Sequence, residues 1–162
     1  MRSVEQLTLV YYKTERNAAV SGAAVIDYDG ILHVGYMTGT EAMELNAEWA
    51  VSFGPVLVVN GEKCDGLASG LNPRTAIGQR SDGAMLLLVV DGRQASSLGA
   101  TYGDLAEVFA DYGAVNAYNL DGGSSTVMWF GGEYINSCAS VKGVRPVPTA
   151  FVVLKEGVDG ND

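Results

Sequence analysis

The chain is poor in the residues on which several common chemistries depend. Its 162 residues include one histidine, two cysteines and four prolines. A lone histidine, His33, argues against both a Ser-His-Asp triad and a histidine-rich metal centre. It falls in an exposed-looking hairpin and is given no special role. Cys64 and Cys138 are too few and too far apart for a zinc knuckle. Free thiols are the plain expectation, and spacing alone leaves a disulfide open. Basic residues are also scarce: 10 Lys and Arg stand against 19 Asp and Glu, for a net charge of −9. That balance argues against a nucleic-acid binder, which needs a basic footprint. The longest apolar runs, such as "AMLLLVV", are too short to cross a bilayer, so no membrane partner is expected. No charged-then-apolar leader stands at the start, where "LTLVYY" begins almost at once. A secreted or cell-envelope location is expected only if the reading frame carries a signal peptide.

Glycine and apolar residues are plentiful. With 48% hydrophobic residues and 21 glycines, the chain reads as globular, with short elements joined by tight turns. The length suits one domain, taken as residues 1–155, with 156–162 as an acidic tail. Strands are expected at 7–13 and, as a hairpin turned by Asp29-Gly30, within 23–36. A helix is expected over 40–50. A strand over 55–62 ends in Asn60-Gly61. Another opens after Pro73 and turns at 80–83 into "AMLLLVVD" (84–91). Thr101 and Asp104 form a capping-box pattern, and Gly113 stops the helix they open. Leu105, Val108, Phe109 and Tyr112 fall on its apolar face. "AVNAYNLD" (114–121) is the next strand.

Two near-continuous apolar runs around a capped helix predict a βαβ crossover with parallel, neighbouring, doubly buried strands. "STVMWF" and "EYINS" read as a further hairpin, and "RPVPTAFVVL" (145–154) as a last strand. The fold class is therefore α/β (mixed α+β): a mixed sheet with one parallel βαβ unit plus antiparallel hairpins.

That reading puts Asp91-Gly92-Arg93 and Asp121-Gly122-Gly123 at the carboxyl ends of two parallel strands, the edge where open α/β sheets bind ligands. Asp-Gly alone is a common turn. Two such turns at one edge suggest a site, with Asp121 and Asp91 as its carboxylates. Gly122, Gly123, Ser124 and Ser125 would line an anion nest. Arg74 and Arg145 each adjoin a proline, and a guanidinium grips phosphate or carboxylate with two parallel bonds. Trp129, close by, could face a sugar.

The stretches "SFGPVLVVNGE", "NPRTAIGQRSDGAMLLLVVDGRQ", "GATYGDLAEVFADYGAVNAYNLDGGSSTVMW" and "RPVPTAFVV" resemble the phosphodiester glycosidase family over about residues 50–154. The resemblance implies a mixed α/β fold and hydrolysis of a sugar 1-phosphodiester at the sugar side. It implies a small-molecule or glycan sugar phosphate as substrate, with Arg74, Arg93 and Arg145 as its phosphate clamp and Asp121 first, Asp91 second, as the carboxylate facing the anomeric carbon; no cofactor or metal is expected. Members usually carry an upstream segment with an Asn-Gly and aromatic motif, absent here, so part of the active site is expected either to be missing or to be supplied by another part of a longer protein. The rival is a non-catalytic carbohydrate- or phosphate-binding module on the same fold. A metal-dependent phosphoesterase stands last, because the carboxylates are scattered.

Overall fold

Apolar segments pair locally where a turn permits it, and across the chain where a helix intervenes. The protein is described from a computed structural model, which covers residues 20–147 and 149–153. The strand expected at 7–13 and the acidic tail lie outside the described residues.

The first sheet is antiparallel, in the order β2-β1-β3. Strand β1 (Ser21–Asp27) pairs with β2 (Leu32–Met37) around Asp29-Gly30, as the hairpin pattern predicts. The helix expected at 40–50 is shorter: α1 is Gly39–Glu44. Asn46, at φ 58, breaks it, and Ala47–Val51 becomes β3. Trp49 and Val51 there reach the apolar layer between the sheets, so tertiary packing overrides helix propensity.

The second sheet has the order β5-β4-β8-β6-β7. Its strands are β4 (Val56–Val59), β5 (Glu62–Lys63), β6 (Arg74–Arg80), β7 (Met85–Val90) and β8 (Ala114–Asn119). Helix α2 (Tyr102–Asp111) has the capping box of Thr101 and Asp104. It buries Leu105, Ala106 and Phe109, while Tyr112 is exposed.

The expected parallel neighbours are not found. Every pairing in the sheet is antiparallel, and β6 lies between β7 and β8. The tight 80–83 turn forces β7 onto β6, and β8 then takes the other edge of β6. Since both are antiparallel to β6, β7 and β8 still run the same way. Nor is β7 buried on both faces: it is an edge strand, with Leu87 exposed.

Helix α2 covers one face of this sheet, where Phe109 packs with Leu57, Ala76 and Ala117. A Cβ on Gly78 would lie 2.7 Å from the Phe109 ring, so glycine there lets the ring lie on β6. The first sheet covers the other face through Ile26, Leu32, Ile77 and Tyr118. The buried Tyr118 hydroxyl accepts the Phe53 N–H at 3.0 Å, tying the layers together.

Beyond β8 the chain makes a 3-10 turn, Gly123–Ser125, then a small hairpin of β9 (Trp129–Phe130) and β10 (Glu133–Tyr134). No strand forms among the described residues of 145–154, although Phe151 packs against the inter-sheet layer. Both cysteines are free.

His33 does have a structural partner. Its Nε2 lies 2.7 Å from Asp27 Oδ2, while Asp27 Oδ1 accepts the N–H groups of Asp29 and Ile31, each at 2.9 Å. Burial pushes the Asp27 carboxyl pKa up, but these hydrogen bonds outweigh it and hold the pKa below the usual carboxylate value. A lowered carboxylate pKa stabilises the fold above the unfolded-state pKa, and that contribution is lost as pH falls through the native one. Urea unfolding from pH 7 downward is therefore expected to lose stability below about pH 4. Asp27→Asn should flatten that acid limb and cost about 1–3 kcal/mol at neutral pH.

Candidate active site

The strand directions gather four chain segments at one edge of the second sheet: the ends of β7 and β8 and the starts of β6 and β4. The segment Asn72-Pro73-Arg74 runs through the middle. Asn72 and Ala100 exchange backbone hydrogen bonds at 3.2 and 2.9 Å. Gly123 donates its N–H to Pro73 O at 2.9 Å, and Leu120 donates to Thr75 O at 2.9 Å.

Three glycines make this approach possible. A Cβ on Gly92 would lie 2.7 Å from Pro73 N, on Gly99 2.4 Å from the Asn72 carbonyl, and on Gly122 2.7 Å from Pro73 O. These are backbone contacts that no rotamer change relieves. The glycines of the two Asp-Gly turns therefore serve close packing, which the anion-nest reading does not anticipate. The nest is also largely occupied. Gly122 N–H bonds Asp121 Oδ1 at 2.9 Å, Gly123 N–H bonds Pro73 O, and Ser125 and Thr126 N–H close the turn onto Gly122 O and Gly123 O.

The two carboxylates sit in different surroundings. Asp121 is exposed, and its one hydrogen bond among the described residues is to Gly122 N–H. Asp91 is half-buried and committed. Its Oδ1 accepts from Asn136 Nδ2 at 3.1 Å and Ser137 N–H at 2.9 Å, and Ser137 N–H also reaches Oδ2 at 3.2 Å. Asp121 thus has a carboxylate oxygen to offer a ligand, while Asp91 holds a loop.

The three arginines divide in the same way. Arg93 stands at φ 57, a left-handed conformation that costs a non-glycine residue about 1–2 kcal/mol. Its Nη2 donates to Asn72 Oδ1 at 2.8 Å. Its guanidinium lies over the turn, with Nη1 and Nη2 3.5 and 3.6 Å from where a Gly123 Cβ would stand. Arg145 is exposed and donates from Nη2 to Ser125 Oγ at 2.8 Å.

Arg74 turns away. At 7% exposure it donates from Nε to Ala100 O at 2.9 Å and from Nη2 to Ser69 Oγ and Gly70 O at 3.1 and 2.8 Å. It also stacks on Tyr102, 4.1 Å from the ring centroid. Burying a cation costs several kcal/mol. Three charge-assisted bonds, worth about 1.5–3 kcal/mol each, and the stacking offset that cost. Arg74 is a strut beneath the edge. A pocket of about 250 Å³ lined by Tyr36, Val56, Cys64, Leu67 and Tyr102 shares no residue with the Asp121 turn.

Sequence reasoning missed Asn136. Its side chain accepts the Met128 N–H at 2.6 Å and donates to Thr126 O at 3.1 Å as well as to Asp91. No motif marks it, because its role depends on a contact with a residue 45 positions away. Among the described residues, no three His, Cys, Asp or Glu side chains stand close enough to share a metal ion.

An exposed carboxylate on a glycine-walled turn that two arginines also approach, at the edge of a sheet in an α+β fold, defines a candidate site for an anionic substrate. A family model described as phosphodiester glycosidase matches residues 4–154, and the chain belongs to that family. It is similar to the zebrafish N-acetylglucosamine-1-phosphodiester alpha-N-acetylglucosaminidase catalytic domain, auto-inhibited by its pro-peptide. The identity is 26%, covering 67% of this chain and 41% of that one, with a TM-score of 0.56. A hypothetical protein from Synechocystis is similar at 29% identity over 70% of this chain and 22% of that one, with a TM-score of 0.53. In Bacillus subtilis strain 168, the SPbeta prophage-derived uncharacterized protein YomE is 47% identical over 66 residues, 41% of this chain and 10% of that protein. The chain thus spans less than half the length of each of these relatives.

The two kinds of arginine should respond differently to Arg→Lys. Arg74→Lys is expected to lower unfolding free energy by about 2–3 kcal/mol, since lysine cannot make the same fork and stack. Arg93→Lys is expected to leave stability within about 0.5 kcal/mol while weakening phosphate binding. Urea unfolding and a phosphate titration separate the two. Equal stability losses would refute the assignment of Arg74 as strut and Arg93 as ligand group.

Proposed function

We propose that this chain carries the catalytic turn of a hydrolase that cleaves sugar 1-phosphodiesters at the bond between the anomeric carbon and the phosphate oxygen. One observation carries the reading: the exposed Asp121 carboxylate, the Arg93 guanidinium over Gly123 and the Arg145–Ser125 contact share a single turn. The unusual backbone of Arg93 adds weight, because a non-glycine residue held in a costly conformation often marks function.

The chemistry follows from those groups. The C1–O bond breaks with its electron pair going to the phosphate oxygen, and the sugar gains oxocarbenium character. The departing phosphate monoester is a stable anion, so it needs cationic recognition more than a strong general acid. Arg93 and Arg145 supply that recognition, with the Ser124 and Ser125 hydroxyls as further donors. Asp121 places negative charge opposite the anomeric carbon. Water adds to C1, giving the free sugar and a phosphate monoester. The named activity of the zebrafish relative supports this choice of bond. The commitment of Asp91 to the Asn136–Ser137 loop, which leaves Asp121 as the exposed carboxylate of the two, favours a second reading, a binding module without turnover.

A nitrophenyl phosphodiester of N-acetylglucosamine separates the readings. The hydrolase releases free sugar and nitrophenyl phosphate. Asp121→Asn should keep the fold and lower the rate about a thousandfold or more, several kcal/mol in the barrier. Release of sugar 1-phosphate would mean cleavage on the other side of phosphorus. Saturable binding without product, in the full chain, would establish the binding module.

A further inference from the structure

The hairpin β9–β10 leaves four large apolar side chains in solvent. Trp129 is 63% exposed, Phe130 74%, Tyr134 53% and Ile135 53%. Trp129 stands directly opposite Tyr134 in the register, and Phe130 opposite Glu133. Residues directly opposite project to the same face, so Trp129 and Tyr134 form one aromatic face. At these exposures it offers roughly 250–300 Å². A standard protein interface needs about 800 Å² per partner, so this face is the size of a small ligand.

Polar bonds, not apolar packing, fix the hairpin beside the candidate site. Asn136 ties the Met128 N–H and Thr126 O to Asp91, whose carboxylate also receives the Ser137 N–H. Gln94, next to Arg93, donates from Nε2 to Ser137 O at 2.9 Å. Trp129 is four residues beyond Ser125, so its Cα lies within about 14 Å of that turn. The turn that Arg93 and Arg145 approach and the aromatic face therefore lie on one short segment, tied back to the sheet through Asp91.

We propose that the Trp129–Tyr134 face is a carbohydrate subsite that stacks one pyranose ring, and that Asp91 is the positioning residue that holds it beside the anion site. A pyranose has an apolar C–H face to lay on the aromatic rings and hydroxyls that stay in water. The cations at Arg93 and Arg145 complement the phosphate of the same ligand. The inference rests on the sugar-phosphate reading of the site, and it gives the carboxylate not needed at the anomeric carbon a task of its own.

The test titrates the full chain with N-acetylglucosamine 1-phosphate, the neutral methyl glycoside of N-acetylglucosamine and inorganic phosphate, read by calorimetry. Trp129→Ala and Tyr134→Ala are expected to weaken the sugar phosphate about tenfold or more, abolish binding of the neutral glycoside, and leave inorganic phosphate unchanged. Both side chains are exposed, so the fold should survive, as thermal unfolding would verify. Asp91→Ala should show the same split between sugar and phosphate, which general destabilisation would not produce. Equal losses for sugar phosphate and inorganic phosphate would overturn the subsite, as would unchanged sugar-phosphate affinity or no sugar binding by the unsubstituted chain. Sugar binding through Trp129 without diester hydrolysis would keep the subsite and sink the catalytic reading. Hydrolysis with an unchanged KM in Trp129→Ala would do the reverse.

Discussion

Backbone meets backbone at Asn72-Pro73 more closely than any side chain would allow, and the site is built on that contact. Gly92, Gly99 and Gly122 each approach this dipeptide at distances that a Cβ would occupy. They belong to two connections: Gly92 and Gly99 to the two ends of the loop from β7 to α2, and Gly122 to the turn after β8. Each connection is thereby pinned to the start of β6, and through it to the sheet. The cost of three substitution-intolerant positions is offset by a turn whose geometry does not depend on side-chain rotamers. Groups that must face a reacting centre benefit from that kind of support.

Arg74 extends the same support downward. Its guanidinium joins β6 to the carbonyl of Ala100 and to the 69–70 loop, and stacks on the first residue of α2. The helix start and the Asn72-Pro73 segment are thus held at a fixed separation. Above this layer, Arg93, which precedes the 3-10 turn in sequence, and Arg145, which follows it, both reach that turn. The edge is layered, with a buried arginine below and two exposed arginines above, although all three looked alike as arginines in glycine- and proline-rich motifs.

Local features were the most legible. The Asp29-Gly30 hairpin, the Thr101–Asp104 cap and the Gly113 stop could be read because each depends on residues within a few positions of one another. Strand order was not legible. The apolar run of β7 signals burial, but it does not say which strand lies alongside, and here it occupies an edge. What could be recovered was direction: β7 and β8 run the same way, so Asp91 and Asp121 do come to one edge, although β6 separates them. The roles of the charged groups were the least legible. Whether an arginine is a strut or a ligand group depends on which carbonyls surround it. Arg74 meets Ala100 O and Gly70 O, and that is a property of the assembled edge.

The placement of β6 between β7 and β8 also orders events during synthesis. Strands β6 and β7 form a hairpin as soon as residue 90 has emerged, but the second edge of β6 finds its partner only when β8 follows, beyond α2. Until then Thr75 and Ile77 present open backbone donors and acceptors next to an apolar surface, the condition under which nascent chains associate edge to edge. The capped helix between β7 and β8 is short and local, so it can form early and cover that surface through Phe109 and Leu105 before the last central strand docks. The compactness of the α2 segment thus serves the timing of assembly as well as the finished core.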